Sequence, residues 1–262
     1  MSGEPAAGPL RIAAVADLHC TKRGQGSLQA LFAQAAATAD VLLLAGDLTD
    51  YGLPEEAQVL ARELSGTGGI SVLAVLGNHD HESGHAEEVC AILSEAGVKV
   101  LDGDAVEVGG VGFAGCKGFG GGFGQRTLEP WGEEAVKRFV REAVDEALKL
   151  ERALARLQTP QRVALLHYAP IQATVEGEPP AIHPFLGSSR LEEPLNRYRA
   201  AACFHGHAHR GMAEGRTASG VPVYNVALPL LKREMGDAVP MRRIDLPRTP
   251  SLDQRLHDRR TG

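Results

Sequence analysis

Five apolar runs in this chain each break off at side chains able to bind a metal ion. The run at 10–16 (LRIAAVA) gives way to Asp17 and His19, and the run at 41–45 (VLLLA) to Asp47 and Asp50. Residues 70–76 lead to Asn78 and His79, residues 162–166 to His167, and residues 200–204 to the corner HGHAH with His207 and His209. Neutral imidazole and carboxylate bind divalent transition metals well. Asp17, His19, Asp47, Asn78, His167, His207 and His209 together offer oxygen and nitrogen donors and no thiol. Such a set suits two divalent ions, provided one carboxylate is shared. Its mixed imidazole and carboxylate character favours Mn, Fe, Co or Zn over Mg or Ca. Two ions side by side activate water and hold developing anionic charge, which is hydrolytic chemistry.

The elements that must position these groups are legible in outline. The apolar runs read as buried strands. Ser27 is a plausible N-cap for an alanine-rich helix reaching about residue 39, and Pro54 with Glu55 and Glu56 opens a second helix. A third helix spans about 86–95. Strands alternating with helices imply a largely parallel sheet with right-handed crossovers, and such sheets place ligands at the carboxyl ends of their strands. Residues 106–108 and 111–114 read as a hairpin about Gly109 and Gly110. The stretch 115–124 (GCKGFGGGFG) lacks a phosphate-loop lysine signature and reads as a mobile loop, or else as a lip carrying Lys117 or Arg126. A long helix covers 133–157, a proline-broken loop 174–194, and further strands 221–227 and about 240–246. Residues 1–9 read as a loose leader and about 247–262 as an arginine-rich peripheral tail of a single domain spanning 1–262.

Composition narrows the function classes. At 262 residues, 44% hydrophobic and 23% charged, the chain has the profile of a globular protein. The formal net charge of −6 argues against a general binder of nucleic acid or membrane surfaces. Cys20, Cys90, Cys116 and Cys203 are widely spaced, with no CxxC pair, so neither a disulfide framework nor a thiolate zinc site is indicated. A reduced, cytoplasmic setting is the expectation, with no signal peptide and no bilayer-length apolar run.

The motifs resemble those of the calcineurin-like metallophosphoesterase superfamily. They are D-x-H at 17–19, G-D-x-x-D at 46–50, G-N-H-D at 77–80, the isolated His167, and G-H-x-H at 206–209. Each is common by itself; the five in this order are specific. The resemblance implies a four-layer αββα sandwich of two mixed β-sheets flanked by helices. It implies one metal on Asp17, His19, Asp47 and His209 and a second on Asp47, Asn78, His167 and His207, with Asp47 the bridge. A hydroxide between the metals would then attack a small phosphoester in line. His79 is implied as the general acid and Asp50 as the residue that orients it, with Asn78 and His79 also facing substrate. Arg190, in the loop after His167, is a candidate phosphate contact because guanidinium pairs bidentately with phosphate oxygens.

Departures from the superfamily's branches narrow the activity. Tyr51 stands where Ser/Thr protein phosphatases carry a phosphate-binding arginine, and the GNHD motif lacks their glutamate. Asp50 stands where purple acid phosphatases carry a tyrosine ligand. GDLTD-x-G resembles the bacterial phosphodiesterase-type branch, so hydrolysis of a phosphodiester, or of a phosphomonoester, is the expected activity. The alternatives are a nuclease, which the acidic charge disfavours, and a non-catalytic metal-binding scaffold. His205 reads as a packed histidine, and His81, His85 and His183 as surface or loop residues.

Overall fold

A computed structural model describes residues 8–248. The first half alternates strand and helix: β1 (Leu10–Val15), α1 (Gln29–Thr38), β2 (Val41–Ala45), α2 (Pro54–Leu64), β3 (Ser71–Val75), α3 (Ala86–Glu95) and β4 (Val98–Val100). Then come the hairpin β5 (Asp104–Val108) and β6 (Val111–Gly115), the long helix α4 (Glu134–Arg156), and β7 (Gln161–Leu165). Two short helices, α5 (His183–Leu186) and α6 (Glu192–Arg197), precede β8 (Ala202–His205) and β9 (Glu214–Arg216). The described chain closes with β10 (Pro222–Asn225), α7 (Leu228–Met235) and β11 (Arg242–Leu246).

The strands form two sheets, ordered β11-β1-β2-β3-β4 and β5-β6-β7-β8-β10-β9. The inner strands are parallel, whereas β11, β5 and β9 lie antiparallel at sheet edges. Because side chains alternate along a strand, each buried run serves two layers at once. Ala13, Val15, Leu42 and Leu44 pack outward against Phe32 of α1, Leu60 of α2 and Leu93 of α3. Their neighbours Ile12, Ala14, Leu43 and Ala45 face inward onto Phe113, Val163, Leu165 and Phe204 of the second sheet. The far side of that sheet, including Ala114, Ala164 and Cys203, is covered by Leu150 and Leu154 of α4. The result is the expected αββα sandwich. A leucine truncated to alanine in such a core costs about 2–5 kcal/mol.

Several local expectations give way to tertiary contacts. Ser27 is not a helix cap: its hydroxyl donates to the Gly24 carbonyl at 2.6 Å and α1 begins at Gln29. The backbone leading into α1 is held instead by buried Glu63 of α2, which accepts from the Gly26 and Leu28 amides at 2.5 and 3.0 Å. The glycine-rich stretch is no mobile loop. Gly118 and 120–123 are buried, with Gly118 donating to Glu146 Oε2 at 2.7 Å and Gly122 to the Gly187 carbonyl at 2.9 Å. Glycine suits this stretch because side chains at Gly120 and Gly121 would run into Pro184 and Ser188. The segment 174–194 contains α5 and the start of α6 rather than open loop. Residues 1–7 of the expected leader and 249–262 of the expected tail lie outside the described residues. Among the described residues no helix is long and apolar enough to cross a membrane.

Candidate metal centre

The sequence-predicted residues lie in the loops that leave the carboxyl ends of β1, β2 and β3 in one sheet and β7 and β8 in the other. These loops are bent sharply. Among the described residues, five non-glycine residues have a positive φ, and four are site residues: Asp17 (55°), His19 (43°), Asp47 (47°) and His207 (69°). A left-handed backbone at a non-glycine residue costs of order 1–3 kcal/mol and persists where surroundings over-determine it. The surroundings here are interlocked amides: Asp17 N–H donates to the Gly46 carbonyl at 2.9 Å, and His19 N–H to the Asp47 carbonyl at 3.0 Å. The His207 amide donates to Asp17 Oδ2 at 3.0 Å, and the His79 amide to Asp47 Oδ1 at 2.9 Å. Close approach leaves no room for Cβ atoms between loops. A Cβ at Gly77 would overlap Asp47 Oδ1, and one at Gly206 would overlap Asp17 Oδ2.

Among the described residues, three triplets of potential ligand atoms result: Asp17, His19 and His209; Asp47, His167 and His207; and His19, Asp50 and His79, which shares His19 with the first. Asn78 joins the second, its Oδ1 standing 3.0 Å from His167 Nε2. Asp47 lies between the first two, with Oδ1 3.3 Å from His167 Nε2 and Oδ2 3.8 Å from His19 Nε2.

Hydrogen bonding on the far side of each ring shows which nitrogen is left to bind. His167 Nδ1 donates to the Ala45 carbonyl at 2.9 Å. In neutral imidazole that leaves Nε2 as a bare acceptor, facing two further acceptors, Asn78 Oδ1 and Asp47 Oδ1. Three converging acceptors need either a proton or a cation among them. His19 Nδ1 donates to Asp50 Oδ1 at 3.2 Å, and its buried Nε2 has no hydrogen-bond partner. His207 Nε2 donates to the Phe185 carbonyl at 3.2 Å, leaving Nδ1 with the lone pair. His209 Nε2 stands 2.9 Å from Asp17 Oδ1. Rings steered by carbonyls and carboxylates behind them are the usual second layer of a metal site. The donor set therefore fits divalent cations.

Asp50 reaches His79 through its backbone: its carbonyl accepts from His79 Nδ1 at 2.7 Å, while its carboxylate accepts from His19 Nδ1 at 3.2 Å. The tight turn after Asp47 presents carbonyl and carboxylate of one residue to two different rings. One nitrogen of the Arg190 guanidinium donates to the Leu128 carbonyl at 3.1 Å and pairs with Glu129 at 3.4 Å. His205 is packed as expected, bonded to Gly206 and Thr174, and burial pushes its pKa down to about 4. His81 and His85 are exposed, and His183 rests on the Glu178 carbonyl.

One residue of consequence escaped the sequence reading. Asp80 is fully buried and accepts from the amides of Leu48, Thr49 and Gly77 and from the Thr49 hydroxyl, at 2.6–3.1 Å. It clamps the loop of Asp47 to the loop of Asn78. An acid closing a motif of polar residues was the available signal, but nothing local tells a clamp from a ligand.

Burial and charge set the protonation of the second triplet. Burial pushes the His167 pKa down, but the Asp47 carboxylate outweighs it and raises the value to about 9. Burial likewise opposes ionisation of Asp47, yet His167 and the His79 amide hold that carboxyl well below its usual range. His207 is driven to about 4 by burial, then by the charge on His167, and is already neutral at physiological pH. A ligand imidazole must be deprotonated, so the cation competes with the His167 proton. Metal affinity should therefore rise about tenfold per pH unit as pH increases towards the value of about 9, then level off. Calorimetric Mn²⁺ titrations in buffers of different ionisation enthalpy check this; a pH-independent affinity without proton release would refute it.

Comparisons with known proteins agree with this fold. One family profile, calcineurin-like phosphoesterase, matches residues 10–211. No curated protein sequence matches the chain. Among solved structures, the chain is similar to the phosphopantetheinyl hydrolase PptH of Mycobacterium tuberculosis, with TM-score 0.63, 14% identity, and 91% of this chain and 97% of that one covered. A protein from Thermus thermophilus aligns with TM-score 0.51 and 15% identity over 90% of this chain and 99% of that one. A purple acid phosphatase from yellow lupin seeds aligns with TM-score 0.54 and 12% identity over 86% of this chain and 45% of that one. With the profile spanning well over half of its length, the chain belongs to the calcineurin-like phosphoesterase family.

Proposed function

We propose that this protein is a metal-dependent phosphodiesterase in which Asp17, His19, Asp47 and His209 hold one divalent cation and Asp47, Asn78, His167 and His207 a second. The observation that carries the reading is the convergence of potential ligand atoms, with His167 Nε2, Asn78 Oδ1 and Asp47 Oδ1 meeting at 3.0–3.3 Å and His19 Nε2 buried without a hydrogen-bond partner. When bound, the cations would lower the pKa of a shared water and neutralise charge on the phosphoryl oxygens. The ligand set admits Mn, Fe or Zn.

The chain's own residues supply the rest. His79 Nδ1 is tied to the Asp50 carbonyl at 2.7 Å, which fixes the ring and leaves Nε2 for the substrate. The side chain is 34% exposed, so an ester oxygen can reach it. In an in-line displacement the oxygen of a water that has released a proton to solvent bonds to phosphorus, the bond to the ester oxygen breaks, and His79 gives its proton to the departing alcohol. The diester preference is supported by charge. Tyr51 stands in place of an arginine, and one guanidinium nitrogen of Arg190 is already taken up by Leu128 and Glu129, which leaves less positive charge for the second negative charge of a monoester.

Assays of bis(4-nitrophenyl) phosphate and 4-nitrophenyl phosphate on protein loaded with Mn²⁺, Fe²⁺ or Zn²⁺ test the proposal. Diester turnover that EDTA abolishes and metal restores is expected; no turnover with any metal would favour the non-catalytic scaffold. His79→Ala should lower kcat about 10²–10⁴-fold while bound metal, measured by plasma mass spectrometry, is retained. Loss of metal in that variant would mean that His79 is a ligand instead.

A further inference from the structure

Tyr168 directly follows His167 at the carboxyl end of β7. Its backbone is fixed, the amide donating to the Lys117 carbonyl at 3.1 Å. Its ring is fixed as well. The centroid lies 4.5 Å from that of His207 and 5.5 Å from that of His167. Phe119 closes on the ring at 5.7 Å, and the Lys117 ammonium stands 5.3 Å from its centre. Tyr168 is thus packed against two histidines of the metal centre without belonging to any of the ligand triplets.

Packing accounts for the ring but not for the hydroxyl. Tyr168 is only 8% exposed, and a buried tyrosine ordinarily gives its O–H a partner. Among the described residues this hydroxyl makes no hydrogen bond, and its oxygen reaches solvent. Phenylalanine would fill the same space beside His207, Phe119 and Lys117 and bury no polar atom. The carboxylate that acts most on the phenol is Asp47, ahead of Glu146 and Glu142 of α4; with burial it raises the pKa and keeps the hydroxyl a donor.

Resting on the phosphodiesterase reading, we propose that Tyr168 is a substrate-binding residue whose hydroxyl donates to a non-bridging oxygen of the bound phosphoryl group. That reading brings the phosphoryl oxygens to the cations, one of them held by both histidines that Tyr168 touches. The non-bridging oxygens carry the negative charge of a diester, and a hydrogen bond to a charged acceptor is about twice as strong as a neutral one. The clamped ring presents its single donor without an ordering cost on binding.

Tyr168→Phe keeps the ring and removes the donor. On the Mn²⁺-loaded enzyme it should lower kcat/KM for bis(4-nitrophenyl) phosphate about tenfold or more. The loss should fall chiefly on KM, because the contact is made to bound substrate and transition state alike. Calorimetric affinity for inorganic phosphate should weaken by a similar factor. Bound metal and the urea midpoint of the metal-free protein should not move, since the hydroxyl bonds to nothing in the chain. Unchanged kcat/KM or unchanged phosphate affinity would overturn the contact. So would a loss that comes with released metal or a lower urea midpoint, which would make Tyr168 a structural support. If the wild type hydrolyses no diester with any metal, the phosphodiesterase reading falls, while the phosphate titrations of the two proteins still decide the contact.

Discussion

Asp47→Asn should reduce phosphodiester kcat/KM by at least about 10³-fold, roughly 4 kcal/mol of transition-state stabilisation. Asp47 is 1% exposed and each of its oxygens is spoken for. Oδ1 takes the His79 amide at 2.9 Å and faces His167 Nε2 at 3.3 Å, while Oδ2 faces His19 Nε2 at 3.8 Å. Asparagine keeps the size but loses the charge and turns one oxygen into a donor. If the NH₂ takes the Oδ1 place it meets the His79 amide donor; if it takes the other it points at His19 and occupies that nitrogen's lone pair. Either way the shared anion between the first two triplets is gone, and both cations should bind weakly. Metal content per chain and kcat/KM are the readouts. A variant that keeps full metal content and full activity would remove Asp47 from the centre.

The second large effect is on stability. Asp80→Ala should destabilise the metal-free protein by about 3–5 kcal/mol, read from urea unfolding. Its carboxylate is the acceptor for three buried amides and one hydroxyl, and alanine leaves all four donors facing a void. Asp80→Asn should lose less, because one oxygen survives, but its new donor meets donors. Activity should fall as well, since Leu48 and Gly77 flank Asp47 and Asn78 and would no longer be tied together. A loss below about 1 kcal/mol in the alanine variant would show that the loops hold their shape without the clamp.

Much of the fold was readable because its signals are local. Apolar runs such as VLLLA mark strands buried on both faces, and the helical stretches between them require parallel crossovers. The hairpin at Gly109 and Gly110 was readable for the same reason, since both glycines adopt the positive φ that a tight turn demands. Short elements were less legible. β9 (Glu214–Arg216) has no apolar pattern at all and exists because β10 offers it a partner. Helix α7 follows a strand without a polar break, so Leu228–Met235 read as nothing in particular. The glycine-rich stretch looked mobile because its packing partners, Pro184 and Gly187, lie some sixty residues away in sequence.

By itself the sequence determined the residue types at five strand ends, and with them the chemistry open to the protein: imidazole, carboxylate and amide, no thiol. Only the tertiary structure decided which atoms meet. The contact between Asp17 and the His207 amide spans 190 positions, and no periodicity or propensity carries information over that distance. Hence Asp50 turned out to brace His19 with its carboxylate and His79 with its carbonyl, and Arg190 to brace a loop. Local sequence sets backbone preference and polarity residue by residue. Which nitrogen of a ring keeps its lone pair depends on what stands behind it, and that follows only once two sheets have packed face to face.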